Sequence, residues 1–387
     1  MTAMETAADP SKNHVGTAAT GCPAEQGSAL PVRPQKPLVS VVIPARNEEA
    51  SLGACLESLS TQTGVAFEII VVDDHSTDRT HEIATSFPGV RVIEAGPLPI
   101  GWTGKNNAVA TGARAAHGEW LLFTDADTVH LPGSLGRSLD EARHVGAALL
   151  SYSPEQIVAS FWEKAVMPVI FAELAAKYRP SQVSDPKSSA AAANGQYILI
   201  TREAYDAVGG HAAVSQSLLE DVDLARAVKQ SGRKIFFRFG GDAVRTRMYR
   251  TFPQLREGWT KNLAILFPAP GRLAIWRLLE FLLLLASLAL LVVCIAAHDY
   301  FYAALCLLAP IATLARISRA HFAWSANLLV PFGLPLFSYL LLRSKMSHQA
   351  GRVSWKGRTY GPSDSPNPGS PKSNMTELGH PTPARLP

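Results

Sequence analysis

Residues 119–129, EWLLFTDADTV, decide how the rest of the chain is read. A short apolar run, Trp120 to Phe123, ends abruptly in two aspartates separated by one alanine, Asp125 and Asp127. Such a run fits a buried strand of a parallel sheet, and in open α/β sheets ligands sit beyond the carboxyl ends of the strands. The two carboxylates are therefore expected at a ligand crevice. Hard oxygen ligands at that spot suit magnesium or manganese, which would in turn hold the phosphates of a nucleotide. An Asp-X-Asp triplet also ends many strands as a plain turn, so the flanking chain has to decide between the two.

The same plan recurs upstream. Leu38 to Ile43, LVSVVI, runs into Pro44-Ala45-Arg46-Asn47-Glu48-Glu49, and Asn47 is the expected N-cap of a helix with Leu52, Leu56 and Leu59 on one face. Glu68 to Val72, EIIVV, runs into DDHSTDRT, again acidic at a strand's carboxyl end, with a helix over roughly 79–86. Val90 to Ile93 is a third strand candidate. Behind it GWTGKNNA starts a helix reaching about Ala116, and a glycine-flanked helix start beside Lys105 is a sensible diphosphate site. Strands alternating with helices call for a doubly wound, mostly parallel α/β sheet.

Downstream, Phe161 to Tyr178 carries Trp162, Val166, Ile170 and Leu174 at helical spacing, which fits either an amphipathic helix on a membrane surface or a core helix. SQVSDPKSSAAAANG is a candidate acceptor loop, and Gln196 to Ile200 reads as another strand. Glu220-Asp221 open a helix whose inward side holds Leu218, Val222, Ala225 and Val228. Arg245, Arg247, Arg250, Arg256 and Lys261, against Glu257 alone, suit anionic lipid headgroups. Three apolar segments follow, Phe281 to Ala297, Tyr300 to Leu314 and Phe322 to Leu342, the last expected to be broken by Pro331 and Pro335. Three full crossings would strand Arg343, Lys345, Arg352, Lys356 and Arg358 on the side opposite the catalytic part, against the positive-inside rule. The expectation is three apolar segments that do not all cross.

At 387 residues with 47% hydrophobic content the chain can build a sizeable core, and a net charge of +4 suggests no nucleic-acid partner. Cys22, Cys55, Cys294 and Cys306 show no metal-type spacing and no disulfide framework, which fits a reducing compartment. The start, MTAMETAADPSK, shows no secretory signal pattern. Composition divides the chain into a disordered tail at 1–36, a region of alternating strand and helix patterns at 37–255, a stretch at 256–343 expected to hold an interfacial helix and two to three membrane helices, and a basic then disordered tail at 344–387.

Taken in order, VSVVIPARNEEASLGACLESL, VVDDHSTDRT, GKNNA, LLFTDADT and LLEDVDLARAVKQSG resemble the family 2 nucleotide-sugar glycosyltransferases of the GT-A fold, over about Leu38 to Lys261. PIGWTGKNNA, RMYRTFPQLREGWTKN and VSWKGRTY are similar to a narrower group. It comprises the membrane-bound glycosyltransferases of carotenoid pathways, notably the diaponeurosporenoate glucosyltransferases, and the hopanoid-associated ones. The resemblance implies a Rossmann-like nucleotide-sugar domain followed by transmembrane helices. It implies that Asp73 and Asp74 contact uracil and ribose with Glu48 close by, and that Lys105 reaches the diphosphate. Asp125 and Asp127 would bind metal and diphosphate, with Asp127 the direct ligand, and Asp221 would be the catalytic base. Direct inversion at an anomeric carbon requires such a base for the acceptor proton.

Processive polysaccharide synthases of this family carry an arginine before the tryptophan, where this chain has Leu255-Arg256-Glu257-Gly258-Trp259, so transfer of a single sugar is implied. The expected activity is a magnesium- or manganese-dependent, inverting transfer of one hexose, glucose from UDP-glucose, to a lipid such as a carotenoid acid. A hopanoid-pathway transferase is the alternative. The expected place is the cell membrane, multi-pass, with the catalytic domain cytoplasmic. A sugar-nucleotide-binding membrane protein without turnover is the non-enzymatic rival, and a transporter is excluded by too few apolar segments.

Overall fold

The computed structural model describes residues 37–360, so the expected disordered tails and Cys22 lie outside the described residues. Within them the alternating runs of the first half become β1 (Val39–Ala45), α1 (Leu52–Ser60), β2 (Phe67–Asp73), α2 (Thr80–Ser86), β3 (Val90–Glu94), α3 (Gly104–Ala115) and β4 (Trp120–Phe123). Then come β5 (Thr128–His130), α4 (Ser134–Val145), β6 (Leu149–Ser153), β7 (Glu155–Gln156), α5 (Phe161–Lys177), α6 (Pro180–Ser184), β8 (Ile198–Thr201) and α7 (Arg202–Ala207). α8 (Glu220–Gln230), β9 (Ile235–Phe239) and β10 (Val244–Thr246) complete the α/β part.

Seven strands form one sheet in the order β3-β2-β1-β4-β8-β6-β9. It is mostly parallel as expected, with β8 antiparallel to both β4 and β6. β1 explains why the sheet is buried on both faces. Its Val41 and Ile43 point into a core with Leu52, Leu56 and Leu59 of α1, while Val42 points the other way, onto Val109 and Ala113 of α3. Register places Ala45 opposite Asp73 and Val42 opposite Phe123. The loops after β1, β2 and β4 therefore emerge along one edge, where a doubly wound sheet presents its ligands. β5, β10 and β7 form a small second sheet beside it.

α9 (Phe252–Leu266), α10 (Pro270–Ala296), α11 (Tyr300–Cys306), α12 (Leu308–Ile317), α13 (Trp324–Asn327) and α14 (Val330–Gln349) follow, and a hairpin of β11 (Val353–Trp355) and β12 (Arg358–Tyr360) ends the described chain. α5, α9 and α14 share a third core in which Val166, Ile170, Leu255, Trp259, Leu263, Leu334 and Phe337 are buried. This settles the two readings left open for 161–178: the helix is a core helix, although Trp162 at its start is exposed.

Two stretches are long and apolar enough to cross a membrane, Pro270–Ala296 and Tyr300–Ala320. They expose Leu282, Leu283, Val292, Val293, Phe301 and Ile311, an apolar surface that needs a non-aqueous neighbour. At their base Arg277 and Glu280 of α10 and Arg316 of α12 meet Glu173 of α5, with Arg316 2.7 Å from Glu173 and 2.9 Å from Glu280. Two acids and two bases thus fasten both legs of the apolar pair to α5.

The third apolar segment is a correction. Phe322–Leu342 was expected to be broken by prolines near the membrane, but Pro331 sits in the first turn of α14 and the helix runs through Pro335. Its Leu334, Phe337, Leu340 and Leu341 are fully buried, so this apolar run feeds a protein core. Packing is closest at Gly333, where a Cβ would overlap the carbonyl of Ala165 on α5. Because backbone cannot swing aside, Gly333→Ala is expected to lower stability by about 1–3 kcal/mol, read as an earlier thermal melt in detergent. The boundaries drawn at 255/256 and 343/344 both fall inside helices, α9 and α14.

Candidate active site

The loop after β1 was expected to begin a helix at Asn47. Instead Asn47 takes a left-handed conformation, φ 52°, and α1 starts after Ser51. The reason is its side chain: Asn47 Oδ1 accepts from Thr77 N at 2.8 Å, which stitches the loops after β1 and β2 together. Glu48 N then donates to Thr80 Oγ1 at 2.7 Å, and the Glu48 carboxylate faces the cavity. Burial pushes its carboxyl above the ordinary value, against the pull of Lys356.

The two aspartates after β2 diverge. Asp73 accepts from Ser76 N at 3.0 Å and meets His81 Nδ1 at 3.3 Å, so it holds its own turn and stands outside the cavity lining. Asp74 lines the cavity, where the Arg358 guanidinium grips both its oxygens, Nη2 at 2.9 Å from Oδ1. Asp78 caps the next helix, accepting from Thr80 N at 3.0 Å.

α3 opens on Thr103, whose hydroxyl accepts from Asn106 N at 3.1 Å. The Asn106 amide donates to the carbonyls of Val214, Ser215 and Ser217 within 3.1 Å, tying this helix start to the segment that leads into α8. Those bonds bring Lys105 between two acids, 2.9 Å from Asp125 Oδ1 and 2.8 Å from Glu220 Oε1. Burial works against its charge, but the two carboxylates outweigh it and hold Lys105 firmly protonated.

After β4 the Asp125 and Asp127 carboxylates enter the same cavity, of about 690 Å³. Asp127 Oδ1 is buried and, among the described residues, has no hydrogen-bond partner. Burial, then Asp125 and Glu48, push its carboxyl up to about 7. An orphaned, buried carboxylate oxygen beside a second carboxylate fits a divalent cation. Among the described residues no three His, Cys, Asp or Glu side chains converge as a cage. That suits magnesium or manganese, which bind through one or two carboxylates and complete their shell with water and phosphate.

Asp221, in the first turn of α8, lines the same cavity. Its Oδ2 accepts from Gly195 N at 2.9 Å and its Oδ1 from Val222 N at 2.8 Å. Burial raises its carboxyl to about 6, with Glu220 adding to the rise and Lys105 and the two amides opposing it. The Ala-rich loop expected to handle an acceptor supplies Ala192 to Gln196 to this wall. Asp127 and Asp221, distant in sequence, thus face one cavity with Lys105 between their loops.

Residues 40–220 match the family model described as Glycosyl transferase family 2. The stretch matched is somewhat less than half of the chain. A longer likeness contains it: the chain is 30% identical over 230 residues to the 4,4'-diaponeurosporenoate glycosyltransferase of Staphylococcus aureus strain USA300, covering 58% of this chain. It spans 60% of the length of that relative, and the same holds for the protein of strain NCTC 8325. Among solved structures, a mannosyltransferase from Pyrobaculum calidifontis in complex with GDP-Man and Mn2+ superposes with a TM-score of 0.48 at 16% identity, over 81% of this chain and 87% of its own. Glucosyl-3-phosphoglycerate synthase from Mycobacterium tuberculosis gives 0.38 at 22% identity, over 57% and 75%.

Sequence reasoning missed several residues around the cavity. The basic stretch after β10 was read as a lipid-headgroup contact, yet Arg245 is 2.6 Å from Glu155, Arg247 3.2 Å from Glu163, and Arg250 donates to Ala50 O at 2.8 Å. Those cations are spent inside the fold. The hairpin β11–β12 sits on the cavity, with Lys356 on Glu48 and Arg358 on Asp74. Gly104 makes room for it, since a Cβ there would meet the Arg358 guanidinium. The WKGR stretch was the available signal, but nothing in its spacing says where it docks.

Proposed function

We propose that this protein transfers a single hexose, glucose from UDP-glucose, with inversion onto a membrane-borne lipid acceptor. The observation that carries the reading is the shared cavity, lined by the Asp125/Asp127 pair and by Asp221, with Lys105 joining Asp125 to Glu220 beside Asp221. Asp74 and Glu48 mark the nucleoside end. Asp125 and Asp127 would hold a magnesium or manganese ion, which would supply charge neutralisation for the departing diphosphate. Lys105 takes up the same charge. With a hydroxyl acceptor Asp221 takes its proton, the anionic form favoured by two backbone amides and by the start of α8, whereas an ionised carboxylic acid acceptor attacks with no proton to give up.

The acceptor end of the cavity is lined by Phe171, Leu174, Tyr178, Leu266, Arg319 and His321. Arg319 and His321 stand where the second apolar stretch returns to the catalytic part, so a lipid leaving the bilayer there meets an apolar wall leading toward Asp221. Two crossings, out along α10 and back along α11 and α12, return Arg343 to Arg358 to the cytoplasmic side with the catalytic domain. That arrangement satisfies the positive-inside rule, which three crossings would violate. The name of the S. aureus relative carries a carotenoid acid, and a long-chain polyene acid is the acceptor class we put forward.

Purified protein in detergent or nanodiscs with UDP-[14C]glucose, manganese and a panel of apolar acids and alcohols is expected to yield one organic-soluble labelled product. Donor hydrolysis without transfer to any of them, or UDP binding with neither, would defeat the reading. The double variant Lys356→Ala/Arg358→Ala removes the hairpin's two ion pairs and is expected to raise the donor KM by about tenfold or more, the scale of lost charge-assisted contacts. An unchanged or lower donor KM would show that the hairpin is no wall of the donor pocket.

A further inference from the structure

Most of the cavity's cations are engaged within the protein. Lys105 is shared by Asp125 and Glu220, Lys356 lies on Glu48, Arg358 on Asp74, and Arg247 on Glu163. Arg46 and Arg250 donate to backbone carbonyls. Arg319 is exposed to solvent. Lys261, on α9 and partly buried, differs from all of these. It lines the cavity, and among the described residues its ammonium makes no ion pair and no side-chain hydrogen bond. Its contact is the ring of Trp355 on the C-terminal hairpin, 5.1 Å from ammonium to centroid. A cation over an indole gains less than a buried ammonium gains from an anion at hydrogen-bond distance. Lys261 is thus held in place without being neutralised.

We propose that Lys261 is a second diphosphate-binding cation of this site, held over the Trp355 ring and turned onto the leaving nucleoside diphosphate when the donor binds. The inference rests on the nucleotide-sugar reading above and adds a catalytic residue to it. Two observations support it. Lys261 lines the same cavity as Lys105, Asp125, Glu220 and Asp221. Burial and Lys105 depress its pKa from the ordinary lysine value, and an incoming diphosphate would relieve that cost, whereas for Lys105 two carboxylates already do. The expectation that Lys261 belongs to a lipid-headgroup patch gives way to a cavity role.

The test compares UDP with uridine by calorimetry, in the presence of manganese, on the full chain. Lys261→Met is expected to bind UDP about ten- to a hundredfold more weakly while uridine binding stays as in the parent, and Lys261→Arg, which keeps the charge, is expected to recover most of the UDP affinity. UDP affinity unchanged in Lys261→Met overturns the inference, as does an equal loss for uridine, which would mark a structural role. A raised acceptor KM with unaltered UDP binding also overturns it, because the anion served would then be the acceptor's. Failure of the parent protein itself to bind UDP would instead strike the donor reading, which keeps the two apart.

Discussion

Asp221→Asn is expected to abolish most transfer to a hydroxyl acceptor, by about 10²- to 10⁴-fold in kcat, with little change in donor KM. The amide keeps the shape and can still accept from the Gly195 amide, but it cannot take a proton. Groups facing Asp221 come from several elements: Glu220 beside it, Lys105 on α3, Lys261 on α9 and Tyr178 after α5. Their sum leaves its carboxyl at about 6, so the parent's kcat should rise with pH through about 6 and the variant's should be flat. For a carboxylic acid acceptor, already ionised, no strong base is required. The same substitution should then cost about tenfold or less, and the pH limb should vanish from the parent too. One variant therefore reads out both the base and the acceptor's reacting group.

Stability separates that loss from misfolding. The folded-state pKa of Asp221 lies above its unfolded value, so its stabilising contribution is present below the unfolded pKa and is lost as pH rises through about 6. At neutral pH the parent carries a buried ionised carboxylate next to Glu220. The asparagine does not, and the variant is expected to melt no earlier than the parent above about pH 7. A variant that is inactive and also melts much earlier would speak for a structural Asp221.

What could be read from the chain alone follows from where its information is local. Trp120–Phe123 ending in Asp125 and Asp127 was legible because an apolar strand and its polar exit are adjacent, and α3 behind Gly104 and Lys105 was legible for the same reason. Asn47 was misread because a helix N-cap and a left-handed loop residue use the same side chain, and the choice was made by Thr77, thirty residues away in the chain. The segment Phe322–Leu342 was ambiguous in principle: a continuous apolar run satisfies a bilayer or a protein core equally, and the small Gly333 that brings α14 onto α5 has meaning only beside Ala165. The hairpin is the extreme case. Lys356 Nζ donates to Arg46 O at 3.0 Å across 310 residues, and no local pattern encodes such a partner.

Asp127→Asn is expected to reduce kcat/KM by about 10²-fold or more at saturating manganese, and chelation of the parent with EDTA to do the same reversibly. Among the described residues Asp127 Oδ1 has no hydrogen-bond partner. A buried carboxylate oxygen left without a donor costs free energy, and here Asp125 and Glu48 add like charge to that cost. Folding retains the group all the same, which is physically consistent if a divalent cation is its partner when the protein works. Asparagine removes the negative charge while keeping the volume, so the variant should melt at the parent's temperature or higher in EDTA. The parent should gain stability on adding manganese with UDP, by the mass-action rule, and the variant should gain far less. Asp125 provides the contrast. Its Oδ1 is engaged by Lys105 at 2.9 Å, so Asp125→Asn should leave part of the manganese-dependent gain in place while weakening the hold on Lys105. Equal manganese shifts in the parent and in Asp127→Asn would place the ion elsewhere, and activity in EDTA equal to that in manganese would remove the metal from the reaction, leaving Lys105 and its neighbours to carry the diphosphate charge.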